Sequence, residues 1–276
     1  MNRRTILITG CSSGIGHHAA QGTKSRGWRV FATARSPADV ERLRDEGFEA
    51  FRLDYTCSES IGAALDAVLT ATGGTLDALF NNGGYAQPGA IEDLEPSLLR
   101  AQFETNVVGW HDLTRRVIPT MRRQGHGRIV FNASVLGFMA ARFRGAYVAS
   151  KHAIEGYADT LRIELRGSGI DVAIIEPGPI ESRFRVNAIR HVADIDIAGS
   201  VHHEAYQRDL DGRKEGQAGD RFRQGPDAVL KALLHAIEAK RPRPRYRVTT
   251  PTKVAAVLKR ILPTRAMDRI VAGTRR

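Results

Sequence analysis

The stretch AYVASKHAIEGY contains a tyrosine, Tyr147, and a lysine, Lys151, four residues apart. Residues at this spacing lie on the same face of an α-helix. A phenol with its ordinary pKa of about 10 is a poor acid–base catalyst at neutral pH. Because a nearby ammonium favours the phenolate, we expect Lys151 to lower the pKa of Tyr147 and to make it a proton-transfer group.

A third polar residue, Ser134, precedes Tyr147 by thirteen positions and ends the apolar stretch GRIVFNAS. Ligands of open α/β sheets bind outside the carboxyl ends of the strands, so a hydroxyl there can hold a substrate oxygen beside the phenol. A tyrosine four residues before a lysine is by itself a common coincidence. The alternative interpretation is a half-buried aromatic side chain and a solvated charge.

The glycine-rich stretch TGCSSGIG, residues 9–16, follows one predicted strand and opens a predicted helix. In this context Gly10 permits a tight turn, Gly14 leaves room for a phosphate, and Gly16 lets the helix pack on the sheet. The stretch predicts a dinucleotide site at the helix N-terminus, and its presence favours the catalytic interpretation of the tyrosine–lysine pair. The other members of the loop that we expect to contact the cofactor are Ser12, Ser13 and Ile15.

The end of the second predicted strand, FATARS, bears on which dinucleotide binds. An acid at this point would hydrogen-bond the ribose of NAD(H). The sequence instead has Ala34 and then Arg35, whose planar guanidinium can pair with the 2′-phosphate of NADP(H). The alternative is a solvated surface arginine. The missing acid favours NADP(H) over NAD(H).

Six apolar stretches rich in β-branched residues alternate with amphipathic helical patterns, which is typical of a parallel sheet covered on both faces. We therefore predict an α/β, doubly wound Rossmann-type fold with a parallel sheet of about seven strands. The predicted strands are Thr5–Thr9, Trp28–Ala34, Glu49–Asp54, Leu76–Asn82, Gly127–Ser134 and Ile170–Gly178, with Arg245–Thr250 as a last one. The clearest helical patterns are Ser58–Thr72, Pro96–Arg123 and Pro226–Lys240.

We divide the chain into a single domain over residues 1–250 and a tail over residues 251–276. Within the domain, segment 183–225 is polar, contains glycines and has no clear secondary-structure pattern. A long segment of this kind in a compact domain is usually functional. We expect it to cap the substrate pocket.

The positive charge of the chain is concentrated near its C-terminus. The sequence has 41 Lys and Arg against 30 Asp and Glu, a net charge of +11. Twelve of these bases and a single acid, Asp268, lie between Lys240 and Arg276, so the remainder is neutral. A neutral body argues against a nucleic-acid partner.

The tail has the pattern of a basic amphipathic helix. Val254, Val257, Leu258 and Ile261 follow helical spacing among basic residues, and further apolar residues follow Pro263. Two interpretations remain open. One is peripheral contact with an anionic membrane surface, and the other is packing over the substrate pocket or against a neighbouring subunit.

The sequence has no N-terminal apolar run with a cleavage site, and no stretch of the about 18 apolar residues that a membrane span needs. Its two cysteines, Cys11 and Cys57, favour a reducing compartment over a disulfide framework. These features predict a cytoplasmic protein. If its tail contacts a membrane surface, the protein would be membrane-peripheral. His191, His202 and His203 lack the spacing of metal ligands, so we expect no metal.

Together these motifs resemble those of the short-chain dehydrogenase/reductase family in its one-domain form. The resemblance extends over residues 5–250. The family's TGxxxGIG motif matches the glycine loop, and its active-site asparagine matches Asn106 in FETNVVG. Its catalytic serine, tyrosine and lysine match Ser134, Tyr147 and Lys151.

The resemblance also implies further cofactor contacts. The family's Asn-Asn-Ala-Gly motif is present as NNGG, in which Gly83 replaces the alanine. A hydroxyl that contacts the nicotinamide amide falls on Ser182, where threonine is commoner, and an acid near the adenine matches Asp54. The cofactor residues implied in addition to the loop and Arg35 are Asp54, Asn82, Gly83, Tyr147, Lys151, Pro177, Gly178 and Ser182.

Within the family, the sequence resembles the branch that contains 17β-hydroxysteroid dehydrogenases, retinol dehydrogenases and bacterial NADP-dependent aldehyde reductases. This implies hydride transfer from NADPH to the carbonyl of a lipophilic aldehyde or ketone. Tyr147 would donate a proton to the alkoxide, Ser134 would hydrogen-bond it, Lys151 would hold the ribose, and Asn106 would orient a water.

Two other functions remain as alternatives. One is an NADP-dependent steroid or retinol dehydrogenase that works in the oxidative direction. The other is a nucleotide-sensing protein that keeps the fold without turnover. The family usually forms homodimers or homotetramers through the long helices after the fourth and fifth strands, and we expect the same here.

Overall fold

The computed structural model describes residues 3–214 and 222–272, and a seven-stranded parallel sheet lies at its centre. The strands are β1 Thr5–Ile8, β2 Arg29–Ala34, β3 Glu49–Arg52, β4 Ala78–Asn81, β5 Gly127–Asn132, β6 Ile170–Glu176 and β7 Arg245–Arg247. Their order is β3-β2-β1-β4-β5-β6-β7, so the predicted doubly wound fold is confirmed. The strand order reverses between β1 and β4, which is where sheets of this kind bind ligands.

Eleven α-helices occur in the described residues. They are α1 Gly14–Ser25, α2 Pro37–Asp45, α3 Ser58–Thr72, α4 Pro96–Phe103, α5 Gly109–Gln124, α6 Gly145–Glu164, α7 Phe184–Arg190, α8 His203–Lys214, α9 Asp227–Glu238, α10 Thr250–Ile261 and α11 Thr264–Ala272. The bounds of α3 agree with those predicted. Helix α9 and strand β7 fall inside the stretches predicted for them.

The strands direct alternate side chains into two apolar cores, as their period of two requires. In β1, Ile6 and Ile8 belong to one core and Leu7 to the other. The first core contains Val229 of α9, and the second contains Leu113 of α5. Burial on both faces explains why the central strands read as continuous apolar runs.

The long helix predicted over residues 96–123 is divided by a π-helical turn, Glu104–Val108. The buried Asn106 lies in the middle of this turn. Turns with i→i+5 hydrogen bonds occur frequently at functional sites. Both flanking helices remain amphipathic, so the sequence pattern alone does not indicate the interruption.

Segment 183–225, for which the sequence gives no assignment, contains α7 and α8 in its described part. Tyr206 of α8 donates a hydrogen bond to Asp93 at 2.8 Å, and Ser200 donates to the same carboxylate at 2.7 Å. Phe143 stacks on Tyr206 with ring centroids 4.5 Å apart. These contacts hold the segment against the connection between β4 and α4 and against the one between β5 and α6.

The tail forms α10 and α11, as its helical spacing predicts, but its apolar stripe faces outward. Val254, Val257 and Ile261 have exposed fractions of 51, 58 and 67%. The opposite side of α10 faces the body, where Thr252 is buried and donates its N–H to the N-cap hydroxyl of Thr249. No helix among the described residues is long and apolar enough to span a membrane.

Residues 215–221 of the capping segment and residues 273–276 of the tail lie outside the described residues.

Candidate active site

The loop between β1 and α1 has the backbone that its glycines predict. Gly10 and Gly14 have φ angles of +67° and +59°, a region that favours glycine. A Cβ on Gly16 would lie 2.2 Å from the Gly10 carbonyl oxygen, and a Cβ on Gly10 would lie 2.5 Å from the Cα of Gly83. The glycines therefore maintain a cradle that larger residues would fill, and this fits the pyrophosphate of a dinucleotide.

The start of α1 presents N–H groups to this cradle. Within the described residues, the N-cap Ser13 makes no side-chain capping hydrogen bond, and no acid lies in the first helical turn. Ser12, Ser13 and Ile15 are partly exposed here. The helix dipole and the free N–H groups favour an anion. Arg42 donates to the Ser12 carbonyl at 2.6 Å and brings a guanidinium to the loop, a contact that the sequence does not indicate.

The loop after β4 is tied to the glycine loop by hydrogen bonds. Asn82 donates from Nδ2 to the Thr9 carbonyl at 2.9 Å, and its N–H donates to the Thr9 hydroxyl at 2.8 Å. Asn132, at the end of β5, donates to Asn82 Oδ1 at 2.8 Å. A Cβ on Gly83 would lie 3.1 Å from the Tyr55 ring, so glycine relieves a crowded contact where the family motif has alanine.

Arg35 and Asp54 lie at the far end of the same sheet edge, after β2 and β3. Arg35 is exposed, and its carbonyl accepts a hydrogen bond from Arg52 at 3.2 Å. The Asp54 carboxylate accepts from the N–H and the hydroxyl of Thr56 at 3.0 and 2.8 Å. Both predicted cofactor residues therefore share the edge that carries the glycine loop.

Ser134 and Tyr147 meet at the carboxyl end of β5. Ser134 follows that strand by two residues, and Tyr147 lies in the first turn of α6. The Ser134 side chain lies close enough to the Tyr147 phenol to act on its pKa, and Ser134 Oγ accepts from the Leu136 N–H at 3.1 Å. The structure thus brings together the two hydroxyls that the spacing predicts to be neighbours.

Lys151 is buried one helical turn after Tyr147. Its Nζ donates to the Asn132 carbonyl at 2.8 Å. The same atom lies 4.3 Å from the ring centroid of Trp110 and 5.6 Å from that of Tyr147. Burial lowers the pKa of Lys151 to about 7, an effect that the Glu155 carboxylate opposes.

The predicted lowering of the Tyr147 pKa is wrong. Burial raises the pKa of Tyr147 above its ordinary value, and the neighbouring Ser134 side chain offsets this only in part. The Lys151 ammonium does not reverse the shift, because it faces the Asn132 carbonyl and the Trp110 ring. The phenol is therefore protonated at neutral pH, which is the form that can donate a proton.

Asn106 connects the π-helical turn to its neighbours. Its Nδ2 donates to the Tyr85 carbonyl at 2.9 Å, and its Oδ1 accepts from the Tyr85 N–H at 3.2 Å. The Nδ2 also donates to the Ser150 hydroxyl at 3.4 Å. Asn106 therefore links the segment after β4 to α6. Its contact on α6, Ser150, lies between Tyr147 and Lys151 in sequence.

The loop after β6 closes this edge from the other side. The Pro177 carbonyl accepts from the N–H of Val135 at 2.8 Å. A Cβ on Gly178 would lie 2.1 Å from the N-cap hydroxyl of α10, so that helix begins directly against the loop. Ser182 lies over the glycine loop, because a Cβ on Gly14 would be 3.0 Å from the Ser182 Cβ.

The sequence profile of the family described as short chain dehydrogenase matches residues 4–192. The chain belongs to this family. Among its relatives, YbbO of Escherichia coli strain K12, described as an uncharacterized oxidoreductase, is 41% identical over 271 residues, which cover 98% of this chain and 95% of that protein. Bovine retinol dehydrogenase 8 is 31% identical over 272 residues, covering 94 and 86%. Human 17-beta-hydroxysteroid dehydrogenase type 1 is 32% identical over 263 residues, covering 90 and 78%.

Solved structures of the same fold include complexes with either nicotinamide dinucleotide. A single-residue variant of actinorhodin polyketide ketoreductase with NADPH has a TM-score of 0.73 at 29% identity, covering 89% of this chain and 95% of that one. A short-chain dehydrogenase/reductase from Burkholderia phymatum in complex with NAD has a TM-score of 0.77 at 26% identity, covering 93 and 92%. The family and its fold therefore establish an oxidoreductase class and leave the dinucleotide open.

The Tyr147 phenol of this dehydrogenase lies against an apolar wall. Its ring packs in a small cluster with Ala86, Ala188 and Leu136. Phe184, at the start of α7, has its ring centroid 5.5 Å from that of Tyr147. The capping segment thus supplies two of the apolar neighbours, in a stretch whose polar sequence gives no sign of them.

A cluster of charged residues that sequence reasoning missed lies one turn beyond Lys151. The Arg245 guanidinium contacts three carboxylates: Glu155 at 3.1 Å, Asp159 at 2.6 Å and Glu176 at 3.3 Å. Burial, reinforced by repulsion from Glu176, raises the pKa of Glu155 to about 7. The i, i+4 spacing of Lys151 and Glu155 is the one local signal for this cluster, because Arg245 is distant in sequence.

The histidines of the capping segment pair with nearby carboxylates. His191 Nδ1 lies 3.2 Å from Asp194, and His202 Nε2 lies 2.6 Å from Glu92. Among the residues that the structure describes, no group of three His, Cys, Asp or Glu is arranged to hold a metal ion.

Proposed function

We propose that this dehydrogenase transfers a hydride from NADPH to the carbonyl of a lipophilic aldehyde or ketone, with alcohol oxidation as the reverse reaction. The observation that carries the proposal is that the Ser134 and Tyr147 side chains meet at the sheet edge that also carries the glycine cradle. When bound, the dinucleotide supplies the hydride, and the protein supplies geometry and electrostatics. The residues that would hold it are the glycine loop, Arg35 and Lys151, with the loops after β4 and β6.

The roles proposed for the catalytic residues combine the family resemblance with their surroundings. Tyr147 has a raised pKa and donates its proton to the oxygen of the carbonyl as charge develops there. Ser134 donates a hydrogen bond to the same oxygen and stabilises its charge. Lys151 holds the ribose, and Asn106 orients a water through which Lys151 exchanges protons with solvent.

The apolar neighbours of Tyr147 support a lipophilic substrate. Leu136, Ala86, Ala188 and Phe184 surround the Tyr147 ring with hydrocarbon. The names of the relatives, retinol dehydrogenase 8 and 17-beta-hydroxysteroid dehydrogenase type 1, also refer to lipophilic alcohols.

A direct test mixes the purified protein, NADPH and a panel of carbonyl compounds, and follows NADPH oxidation by its absorbance. The panel contains aldehydes of increasing chain length, retinal and a ketosteroid. We expect reduction whose kcat/KM rises with apolar surface, because each buried methylene adds about 0.8 kcal/mol of binding. Binding of NADPH without turnover of any compound would instead support the nucleotide-sensing alternative.

The direction of the reaction can be tested in the same way. Alcohol oxidation requires the phenolate as base, which a raised Tyr147 pKa disfavours at neutral pH. We therefore expect the reduction rate to exceed the oxidation rate at neutral pH, and the oxidation rate to increase only at alkaline pH. An oxidation rate at neutral pH that exceeds the reduction rate would favour the oxidative steroid or retinol dehydrogenase.

We also propose NADP(H) as the physiological cofactor, because Arg35 is exposed at the end of β2 where an acid would otherwise select NAD(H). The test is Arg35→Asp, with Arg122→Asp on α5 as an exposed arginine away from the site. Arg35→Asp should raise the KM for NADPH far more than that for NADH, whereas the control should change neither. Equal effects on both cofactors would remove this assignment.

For assembly, we propose a homodimer or homotetramer that pairs through α5 and α6. Ile163, in the last turn of α6, is 70% exposed, and Val108 at the start of α5 is also exposed. Light scattering coupled to size-exclusion chromatography should give twice or four times the chain mass. Val108→Asp and Ile163→Asp should lower that mass, and a monomeric parent protein would contradict the proposal.

We further propose that α10 and α11 make peripheral contact with an anionic membrane surface from the cytoplasm. The outward stripe of Val254, Val257 and Ile261 is flanked by Lys253 and Arg260, both exposed. Two copies of this face would bring like charges together, which disfavours self-association and favours phosphate headgroups.

The membrane contact is tested by vesicle pelleting of the full chain. We expect pelleting with vesicles that contain phosphatidylserine and little with phosphatidylcholine alone, weakening as salt screens the charges. Val257→Asp should abolish it, and Ile163→Asp on α6 should not. Equal pelleting by both vesicles, or none at low salt, would contradict the proposal.

A further inference from the structure

Lys151 is a buried cation with few nearby groups that stabilise its positive charge. Its Nζ donates to one carbonyl oxygen, that of Asn132, and lies over the face of Trp110. Burial favours the neutral amine, which has lost the positive charge that attracts polar groups of a cofactor or a phenolate. A group that keeps Lys151 protonated would therefore act on the chemistry without touching the substrate.

Glu155 has the position for this role. It follows Lys151 by one turn of α6 and is buried on the same side of the helix. Its Oε2 accepts from Arg245 Nε at 3.2 Å, whereas its Oε1 is buried without a hydrogen-bond partner among the described residues. That oxygen faces the turn after Ser134, because a Cβ on Gly137 would lie 2.9 Å from it.

A half-paired buried carboxyl group costs free energy, so stability alone does not account for Glu155. Its negative charge raises the pKa of Lys151 against the effect of burial. Replacing it with a neutral group of the same shape would remove that opposition and leave only the desolvation of Lys151.

The charge of Glu155 is itself set by residues from three elements. Glu176 at the end of β6 repels it, Asp159 on α6 adds to the repulsion, and Arg245 on β7 opposes both. Arg247 contacts the other oxygen of Glu176 at 3.1 Å, so two guanidinium groups share the neutralisation of the Glu176 charge. Glu176 directly precedes the Pro177–Gly178 loop, so the cluster also joins α6 to a predicted cofactor contact.

We propose that Glu155 is a positioning residue that supports the positive charge of Lys151 beside Tyr147, and that Arg245 favours the carboxylate form of Glu155 against the effect of burial. The proposal rests on the proposed function, because a charged Lys151 matters to a proton-transfer and cofactor-binding site. Glu155 contacts neither hydroxyl of the Ser134–Tyr147 pair and acts through Lys151.

The first test measures the pKa of Lys151 without any substrate. The chain has seven lysines, so protein labelled with ¹³C at lysine Cε gives a small set of signals, and Lys151→Met identifies the one that belongs to Lys151. We expect Glu155→Gln to lower the pKa of Lys151 by on the order of one unit. Asp159→Asn, which removes another Arg245 contact one turn further away, should leave the Lys151 pKa little changed.

The second test follows the pH profile of NADPH-dependent reduction. Because the active form has a protonated Lys151, the alkaline limb of kcat should move to lower pH in Glu155→Gln by the same amount as the Lys151 signal. Glu155→Asp, which keeps the charge, should leave the alkaline limb close to its position in the parent protein. Arg245→Met should move the limb in the same direction as Glu155→Gln, and Arg245→Lys should move it less.

The two tests separate the possible failures. An unchanged Lys151 pKa in Glu155→Gln would overturn the positioning role, whether or not the protein turns over a carbonyl compound. A shifted pKa in a protein that reduces nothing would support the electrostatic link and reject the proposed function. A uniform loss of kcat with an unshifted profile would assign Glu155 a purely structural role and overturn the proposal, and the Arg245 variants decide the question if Glu155→Gln does not fold.

Discussion

Helices α6 and α10 both begin at the carboxyl edge of the sheet, but they depart from ordinary packing in opposite ways. Helix α6 buries Tyr147, Lys151 and Glu155, polar groups whose burial is unfavourable unless they are paired. Helix α10 leaves Val257 and Ile261 in water, although covering them would be favourable. Each departure from ordinary packing coincides with a proposed role, proton transfer on α6 and a surface contact on α10.

The N-terminus of α10 contacts the loop after β6, which closes the active-site edge that α6 also reaches. Gly178 has no room for a side chain there, because Thr249 and Thr252 of α10 lie against it. The start of α10 is therefore fixed to the active-site edge, while its outward face is open. This arrangement predicts that changes on α6 affect turnover and stability, and that changes on the outer face of α10 affect neither.

The largest expected difference between the two helices is in turnover. Tyr147→Phe should lower kcat by about 10²–10⁴-fold, because it removes the proton donor, and should leave the Kd for NADPH near its original value. Val257→Asp should leave kcat unchanged with a water-soluble aldehyde. Steady-state kinetics and a fluorescence titration of NADPH check both, and near-normal turnover of Tyr147→Phe would end the assignment of Tyr147.

A pair of isoleucines tests the same contrast in stability. Ile154 on α6 is 1% exposed, and Ile154→Ala should lower the free energy of unfolding by about 2–5 kcal/mol through lost burial and a cavity. Ile261 on α10 is largely exposed, and Ile261→Ala should change the free energy of unfolding by less than about 0.5 kcal/mol. Urea denaturation measures both. A large loss for Ile261→Ala would mean that its face is covered, for example by a second copy of the chain.

The junction between the two regions should be sensitive to a single methyl group. A Cβ on Gly178 would lie 2.1 Å from the Thr249 hydroxyl, so Gly178→Ala should cost about 1–3 kcal/mol of stability through overpacking. Thr249→Ala alone should cost about 1 kcal/mol through loss of the α10 cap. Together they should cost less than the sum, because Thr249→Ala removes the shorter of the two contacts that crowd this position, the other being with the Thr252 hydroxyl at 2.6 Å. If thermal or urea unfolding shows that the two losses of unfolding free energy are additive, the contact between position 178 and Thr249 is not the cause of the loss in Gly178→Ala.

A further expected effect is the pH dependence of stability at Glu155. Burial raises the pKa of Glu155 from 4.5 to about 7, so the native state keeps a proton that the unfolded chain has lost between these values. The stability that Glu155 contributes therefore falls as pH rises through this window. The free energy of unfolding of the parent protein, relative to Glu155→Gln, should decrease between about pH 4.5 and pH 8 by on the order of 1–3 kcal/mol. Urea titrations at the two pH values measure this, and an increase instead would mean that the native state stabilises the carboxylate.

Much of the fold and of the site followed from local sequence patterns. The run TILIT predicts a central strand, and β1 is buried on both faces. The glycine spacing predicts a tight turn, and Gly10 and Gly14 have positive φ angles. These predictions held because strand period, turn geometry and helix periodicity are set by neighbours within a few residues.

Predictions that depended on the surroundings of a side chain were less successful. The spacing of Tyr147 and Lys151 correctly places them on one helix face, but it says nothing of burial, and burial reverses the expected shift of the Tyr147 pKa. In the same way, the spacing of Val257 and Ile261 predicts an apolar stripe and cannot say which side of α10 faces the body. Both outcomes depend on packing against elements far away in sequence.

Local patterns in the chain encode the alternation of strands and helices outside segment 183–225, the glycine cradle, and the candidate catalytic residues Ser134, Tyr147 and Lys151, because each lies within one element or one loop. Only the tertiary structure decided that Arg245 joins Glu155 to Glu176, since residues about seventy to ninety positions apart become neighbours through the parallel pairing of β6 and β7. The electrostatic environment of the site is a sum over such distant neighbours and over the water that they exclude. A linear pattern contains neither quantity, so the protonation of Tyr147 and Lys151 had to be taken from the folded chain.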